Sequence, residues 1–439
     1  MSGSGPHSPQ EDKTRHISME KLKSILKNLL PRSLYRALVR PYHIVWSFVS
    51  AVRYGFPAKK LTVIGVTGTK GKSSVSEMIT AVLEEAGHSV ALSSTIHFKV
   101  GSEVRPNLYK MTLPGRGFIQ KLLREAVDAG CTHAVIELTS EAAVQSRHLF
   151  LSLDALVFTN LEREHIESHG SMENYFQAKF RLGTALVHSS KRPRGIIALG
   201  DSEYGQRFLA LPVEQQLPFS LSEATDITPL PLGISFTYKG RQFSLPHPGT
   251  FSVLNALATC KVAEFLNVPL EKVATGLAAL TLIPGRAERI EAGQDFLAVV
   301  DYAHTPESLK ALYGAYGSKR KICVLGNTGG GRDTWKRPEM GRIADEMCDE
   351  VILTDEDPYD ENPEKIVREM AAGMKRAPRI IMDRREAIHT ALGLARTGDA
   401  VLITGKGTDP YIMQANGAKT RWSDAEVVRE ELTKIQSVG

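Results

Sequence analysis

The sequence predicts an α/β protein with mainly parallel sheets covered by helices, and three observations carry that expectation. Short apolar runs at 61–66, 134–138 and 155–159 alternate with segments of helical periodicity. Each run ends in a polar or glycine-rich loop, the place where open parallel sheets gather their ligands. The rhythm breaks at Pro284-Gly285 and then restarts, which makes that dipeptide the candidate linker between a larger unit, 58–283, and a smaller one, 284–439.

With 439 residues, 42% of them hydrophobic and 23% charged, the chain has enough apolar material for two or three cored domains. A formal charge of +5 is modest and requires no nucleic-acid partner; an anionic, phosphorylated ligand suits it equally well. Cys131, Cys260, Cys323 and Cys348 are far apart and form no C-x-x-C pair, so they read as reduced thiols of a cytoplasmic protein. Residues 1–18 are polar and read as a disordered leader without a secretory pattern. Residues 19–57 are basic and amphipathic, and Pro31 and Pro41 are expected to cut them into short helices. Neither piece holds the roughly 20 consecutive apolar residues of a membrane span. Packing on the next domain is the expectation for them, with contact at a membrane surface as the alternative.

The larger unit opens with Gly65-Val-Thr-Gly-Thr-Lys-Gly-Lys-Ser-Ser74, a strand running into a glycine-rich turn and a helix that starts near Ser73. Such a turn aims backbone N–H groups and a helix N-terminus at one point, which suits a phosphate. In that reading Lys72 meets the β/γ-phosphates and the Ser73 hydroxyl is placed for Mg²⁺. The strict pattern G-x-x-x-x-G-K-[ST] fails by one residue, because Val66 stands at its first glycine; a plain turn with a surface lysine is the alternative. Glu137 closes the apolar run 134–138, where an unpaired carboxylate is costly and a magnesium ion would remove the cost. Past the run 155–159 comes an acidic and imidazole cluster that includes His165, a candidate second-metal ligand beside Glu137 and Ser73. Lys179, in the helical stretch 173–182, reads by spacing alone as a snorkelling surface lysine.

Residues 194–250 are punctuated by Gly and Pro and read as β-rich; helices at 251–263 and 273–280 follow, with Asn255 near the first helix start. In the smaller unit, strands at 296–300, 321–325, 351–354 and 400–404 each end in a polar loop. Those loops carry Asp301-Tyr-Ala-His304, Gly329-Gly-Gly-Arg332, Asp355-Glu-Asp-Pro-Tyr359 and Lys406-Gly-Thr-Asp409.

Together these motifs resemble the Mur ligase family, most closely its UDP-N-acetylmuramyl-tripeptide synthetase branch, from about residue 63 onward. The resemblance implies a P-loop central ATPase domain and a C-terminal Rossmann-like domain, here preceded by short basic helices where the family has a UDP-binding domain. It implies that Gly68, Thr69, Lys70, Gly71, Lys72, Ser73 and Ser74 form the ATP loop and that Glu137 and His165 bind magnesium. Lys179 matches the lysine that the family carbamylates to hold Mg²⁺. Asn255 is similar to the adenine-contacting asparagine, Arg286 to the hinge arginine, and Asp301 with His304 to the ribose and phosphate motif. Thr112-Leu-Pro114, Ser140 and Arg147 match acceptor-holding residues, with Leu113 departing, and Arg332 resembles the arginine that grips the incoming amino acid.

The implied reaction is ATP- and Mg²⁺-dependent amide formation through an acyl phosphate, adding an amino acid to a muramyl dipeptide acceptor in peptidoglycan precursor synthesis. Glu356-Asp-Pro-Tyr359 and Lys406-Gly-Thr-Asp409 depart from the diaminopimelate pattern, and the acids Glu356, Asp357 and Asp409 point instead to a cationic side chain such as lysine. Folylpolyglutamate, cyanophycin and poly-γ-glutamate synthetases resemble the same core, so another carboxylate acceptor is an alternative. A nucleotide-binding subunit that needs a partner is the alternative of a different class.

Overall fold

The computed structural model describes residues 32–115, 117–164, 166–317, 319–331 and 333–438, with side chains from residue 41 onward except those of Ser168 and Val438. The leader 1–18 and residues 19–31 lie outside the described residues, as do His165 and Arg332.

Helix α1 (Arg32–Arg53) runs through Pro41 without a break, which corrects the expectation of short pieces. Pro41 removes one internal N–H, but the rings of Tyr42 and Trp46, in edge contact one turn apart at 6.3 Å, bridge the next turn. One face of α1 docks on the larger unit: Ser50 and Ala51 are buried, and the Ser47 hydroxyl donates to the Ser146 carbonyl at 3.0 Å. The opposite face leaves Ile44, Val45, Phe48, Val49 and Val52 exposed. Among the described residues, no helix is long and apolar enough to cross a membrane.

The larger unit is built on eight strands: β1 (Thr62–Thr67), β2 (Val90–Ser93), β3 (His97–Val100), β4 (Glu103–Pro106), β5 (His133–Glu137), β6 (Ala155–Phe158), β7 (Gly195–Leu199) and β8 (Gln215–Phe219). Their order is β4-β3-β2-β5-β1-β6-β7-β8, parallel except for the hairpin edge β2-β3-β4, which the sequence reading missed. Alternate residues of β1 feed two cores, as a sheet buried on both faces requires. Ile64 and Val66 join the side covered by α2 (Lys72–Glu85) and the helix Thr250–Phe265, while Val63 joins the side covered by α3 (Phe118–Asp128). A three-stranded antiparallel sheet of β9 (Thr225–Leu230), β10 (Gly233–Tyr238) and β11 (Arg241–Leu245) supplies the β-rich part.

The smaller unit holds β12 (Glu288–Ile290), β13 (Leu297–Asp301), β14 (Lys321–Leu325), β15 (Glu350–Leu353), β16 (Arg379–Ile380) and β17 (Ala400–Thr404). In the order β12-β13-β17-β14-β15-β16, all neighbours are parallel except β12 with β13. Cys323 of β14 and Cys348, just past the helix Lys336–Met347, are joined by a disulfide, which corrects the reading of four free thiols. Spacing gave no signal, because the strand-to-helix crossover closes a gap of 25 residues only in space. Cys131 and Cys260 are free and buried.

Phe158, fully buried at the end of β6, stacks on Phe208 with centroids 4.3 Å apart and supports the strand end that carries the site. Phe158→Ala should lower the free energy of unfolding by about 3–5 kcal/mol, read from urea denaturation.

Candidate active site

The carboxyl ends of β1, β2, β5 and β6 open on one cavity of about 400 Å³, closed from the other side by the first loops of the smaller unit. Thr69, Lys70, Gly71, Lys72, Ser73 and Ser74 line it, with Thr112, Glu137 and Asn255 from the larger unit and Arg286, Asp301 and His304 from the smaller.

The loop between β1 and α2 is clamped from β6. Thr69 and Lys70 both donate their backbone N–H to the Asn160 side chain, at 3.2 and 2.8 Å, and Thr159 donates to the Lys70 carbonyl at 2.6 Å. At Gly68, with φ +148°, a Cβ would lie 2.0 Å from the Thr159 hydroxyl, so the clamp admits only glycine there. The helix begins at Lys72 and its first intrahelical bond is donated by Val75 to Gly71, which leaves the N–H groups of residues 72–74 for a ligand.

Two lysines are buried against this loop. Lys72 donates to the Thr69 carbonyl at 2.9 Å and Lys179 to the Gly68 carbonyl at 2.7 Å. Burial lowers the pKa of both, and the Lys72 charge lowers it further at Lys179. Lys179 is 2% exposed, with its amine over the Tyr175 ring, so the snorkelling reading fails: its helix, Met172–Val187, presents it inward.

Glu137 is not unpaired, contrary to the sequence argument. Its carboxylate accepts from the Thr95 N–H at 2.8 Å, the Thr95 hydroxyl at 3.0 Å and the Ser73 hydroxyl at 3.1 Å. Arg286 reaches across from the smaller unit to donate to Ser73 at 3.2 Å, and its guanidinium lies over the Tyr302 ring. For a magnesium ion, which takes one or two carboxylates and completes its shell with water and phosphate, the Ser73 and Glu137 oxygens fit. Among the described residues no group of three His, Cys, Asp or Glu forms a preassembled metal cage.

Asp301 accepts from the Ala287 and Ala303 N–H groups, both at 2.6 Å, although burial raises its pKa. Asn255 sits behind the loop, with Oδ1 2.6 Å from where a Cβ of Gly71 would stand. Glu164, a residue the sequence reading passed over inside the acidic cluster, accepts from Lys70 at 3.1 Å and faces His304 Nε2 at 2.8 Å. His304 Nδ1 donates to the Tyr302 carbonyl at 2.6 Å. Burial, with the Lys70 charge adding to it, pushes the His304 imidazole down to about 4.

The remaining residues singled out by sequence lie apart from the cavity. Ser140 is buried at the start of α4 (Ser140–Val144) and bonds His169 at 3.2 Å; Arg147 follows α4 and lines a separate small pocket. Glu356, Asp357, Tyr359 and Asp409 cluster at the ends of β15 and β17. Asp357 accepts from Lys406 at 2.8 Å and from Lys110 of the larger unit at 2.5 Å, and Asp409 pairs with the same two lysines. Lys110 was invisible as a partner in sequence because the residues it joins are 247 positions apart. The acidic excess expected of this cluster is therefore largely neutralised. Glu356 retains one buried oxygen, Oε2, without a hydrogen-bond partner, while Oε1 accepts from Thr328 at 2.9 Å.

Residues 66–263 match the Mur ligase middle domain, and residues 285–407 match the glutamate ligase domain of Mur ligases. The chain belongs to the Mur ligase family. Members of this family are ATP-dependent ligases, and this Mur ligase is an enzyme of that class. It is 38% identical over 406 residues to the UDP-N-acetylmuramoyl-L-alanyl-D-glutamate–2,6-diaminopimelate ligase of Gloeobacter violaceus, covering 89% of this chain and 81% of the relative. It is 34% identical over 417 residues to the UDP-N-acetylmuramyl-tripeptide synthetase of Roseiflexus sp., covering 88% and 81%. Among solved structures, a 2,6-diaminopimelate ligase aligns with TM-score 0.59 and 29% identity over 86% of this chain and 79% of that one. Mycobacterium tuberculosis folylpolyglutamate synthase aligns with TM-score 0.67 at 17% identity, over 83% and 93%, a likeness of fold.

Behind the cavity, Glu77 of α2 faces His97 at 3.5 Å. Burial first, then the Glu137 charge, pushes Glu77 up to about 8, and burial pushes His97 down to about 4, so the pair is neutral near pH 7. A raised carboxyl pKa means that the folded state holds a proton the unfolded chain releases. Its stabilising effect is complete below about 4.5 and is lost as the pH rises through 8. In metal-free urea titrations the wild-type protein should lose stability across this window at up to ~1.4 kcal/mol per pH unit from this group. Glu77→Gln should flatten that slope.

Proposed function

We propose that this Mur ligase joins an amino acid to a UDP-N-acetylmuramoyl-dipeptide type of acceptor, with ATP as phosphoryl donor. The observation that carries the reading is the convergence in one cavity of the 69–74 loop, Glu137 and Asn255 with Arg286, Asp301 and His304 of the second unit. The tripeptide-ligase names of relatives covered over four-fifths of their length support the acceptor class.

In this reading the free N–H groups of residues 72–74, with Lys72 and Lys70, hold the polyphosphate, and Asn255 and Asp301 hold adenine and ribose. Ser73 and Glu137 would hold a magnesium ion, whose charge would neutralise the transferring phosphoryl group. The lowered pKa of Lys179 favours the uncharged amine, the form that can attack carbon dioxide and become a carbamate. The residues otherwise position: an acceptor carboxylate oxygen attacks the γ-phosphorus and expels ADP, and the amine then attacks the acyl carbon, loses a proton and displaces phosphate. Thr112, Ser140 and Arg147 are assigned to the acceptor. His165 and Arg332, the remaining metal and amino-acid ligands of the reading, lie outside the described residues.

For the amine donor a cationic side chain such as lysine is proposed. Its support is the unpartnered, buried Oε2 of Glu356 and the tyrosine at 359; Asp357 and Asp409 already hold Lys110 and Lys406. A cytoplasmic setting is inferred from the need for ATP, since the disulfide removes the argument from free thiols.

Phosphate release from ATP decides the matter. It should require both a muramyl dipeptide nucleotide and an amino acid, run faster with lysine than with diaminopimelate, and fall at least a hundredfold in Lys179→Ala, with partial rescue by a short-chain carboxylic acid. Release that ignores every muramyl, folate or peptide acceptor would return the chain to a nucleotide-binding role. Faster turnover with diaminopimelate would remove the assignment to Glu356.

A further inference from the structure

The outer face of α1 carries five large apolar side chains, Ile44, Val45, Phe48, Val49 and Val52, each between 37% and 58% exposed. Their spacing, i, i+1, i+4, i+5 and i+8, is that of one helical stripe. Positions 34, 38 and 41, two leucines and a proline, continue the same face toward the start of the helix. A surface helix normally turns polar residues outward, and a contiguous apolar patch marks an interaction surface. The stripe is also fixed in place. The inner face of α1 is docked through buried Ser50 and Ala51, and the Phe48 ring packs by its side on Phe56 and Phe150, with centroids 6.4 and 5.6 Å away.

Charge selects the partner. Residues 21–60 hold nine Lys and Arg and no Asp or Glu. Arg53, Lys59 and Lys60, at the end of the stripe, are exposed, and the Lys59 amine lies 5.1 Å from the centre of the Phe56 ring. A two-fold contact with a second copy opposes a patch to itself, so it would set these cations against each other with no acid of the same segment between them. Residues 19–30, folded back as a helix from Pro31, would run about 18 Å. That equals the rise along α1 from Arg32 to Ile44, so such a helix would end where the exposed stripe begins. An apolar interior bordered by anionic groups satisfies both the stripe and the cations. With 22 residues α1 is about 33 Å long, enough to cross a bilayer, but its four arginines favour lying along the interface.

We infer that the outer face of α1 seats this protein on a bilayer containing anionic lipids. Ile44, Val45, Phe48, Val49 and Val52 enter the boundary between headgroups and acyl chains, while Arg53, Lys59 and Lys60 meet the headgroup phosphates. The attachment is peripheral and reversible, because one short stripe supplies the apolar contact and the charge contribution is screened by salt.

Co-sedimentation of the full chain with vesicles tests the inference, using phosphatidylcholine alone and phosphatidylcholine with phosphatidylglycerol in a three-to-one ratio. Wild type should bind the mixed vesicles at least about tenfold more tightly than the neutral ones, and added salt should narrow the difference. Val45→Asn combined with Val49→Asn should weaken binding to the mixed vesicles about tenfold or more. Lys59→Ala combined with Lys60→Ala should weaken it about tenfold and leave binding to neutral vesicles unchanged. All four positions are exposed, so both pairs should keep the wild-type melting temperature and the wild-type rate of phosphate release without vesicles. No binding by wild type, or unchanged binding in the folded asparagine pair, overturns the inference. Equal binding to neutral and mixed vesicles overturns the role of the cations. A wild type that ignores vesicles and forms a dimer, which the asparagine pair splits, overturns the bilayer and assigns the face to a second copy.

Discussion

Two lysine side chains buried on one glycine-rich loop set the terms for the whole site. Lys72 and Lys179 each spend a hydrogen bond on a carbonyl of that loop, and each has its charged form disfavoured by burial. Buried cations of this kind are tolerated only near compensating charge. Glu137 and Glu164 supply part of it. An anionic polyphosphate would supply the rest, so the arrangement gains stability when its ligand binds. The same requirement explains why the loop is clamped by Thr159 and Asn160: the two carbonyls must stay where the lysines can reach them.

The second constraint is that the cavity belongs to neither unit alone. Arg286 bonds Ser73, His304 meets Glu164, and Lys110 meets Asp357 and Asp409, so polar contacts span the two units around the site. Each pairs groups that would otherwise face solvent in a separated arrangement. Polar interfaces of this kind suit units that part and rejoin during a reaction cycle, with Pro284-Gly285 as the connection. Gly285 has φ +62°, and a Cβ there would stand 2.6 Å from the Thr408 nitrogen, which ties the connection to the loop after β17.

Much of this was legible in sequence because strand ends in parallel sheets announce themselves: an apolar run followed by Gly, Thr, Asn or an acid. The loop at 68–74, Glu137, Asn255 and Asp301 were all found that way, or by resemblance to the family built on them. What stayed hidden depended on contacts distant in sequence. Nothing near Lys179 signals that its helix turns it inward, and nothing near Lys110, Glu164, Thr95 or Cys348 names the partner each one meets. The continuous α1 was misread for a different reason, since a proline on an exposed helix face costs one hydrogen bond and need not end the helix. The neutralisation of Asp357 and Asp409 shows how a cluster of acids read in one dimension overstates the charge offered to a substrate.

In the proposed reaction this cavity activates a carboxylate by phosphorylation and does not simply hydrolyse or sense ATP. Oxygen isotope transfer reads that step directly. With the reacting carboxylate of the muramyl dipeptide acceptor labelled with ¹⁸O, one labelled oxygen becomes the bridge of the acyl phosphate and leaves with phosphorus when the amine attacks. Inorganic phosphate should carry one ¹⁸O per amide formed, seen as an isotope shift in its ³¹P resonance. Phosphate released without label during amide formation would contradict it.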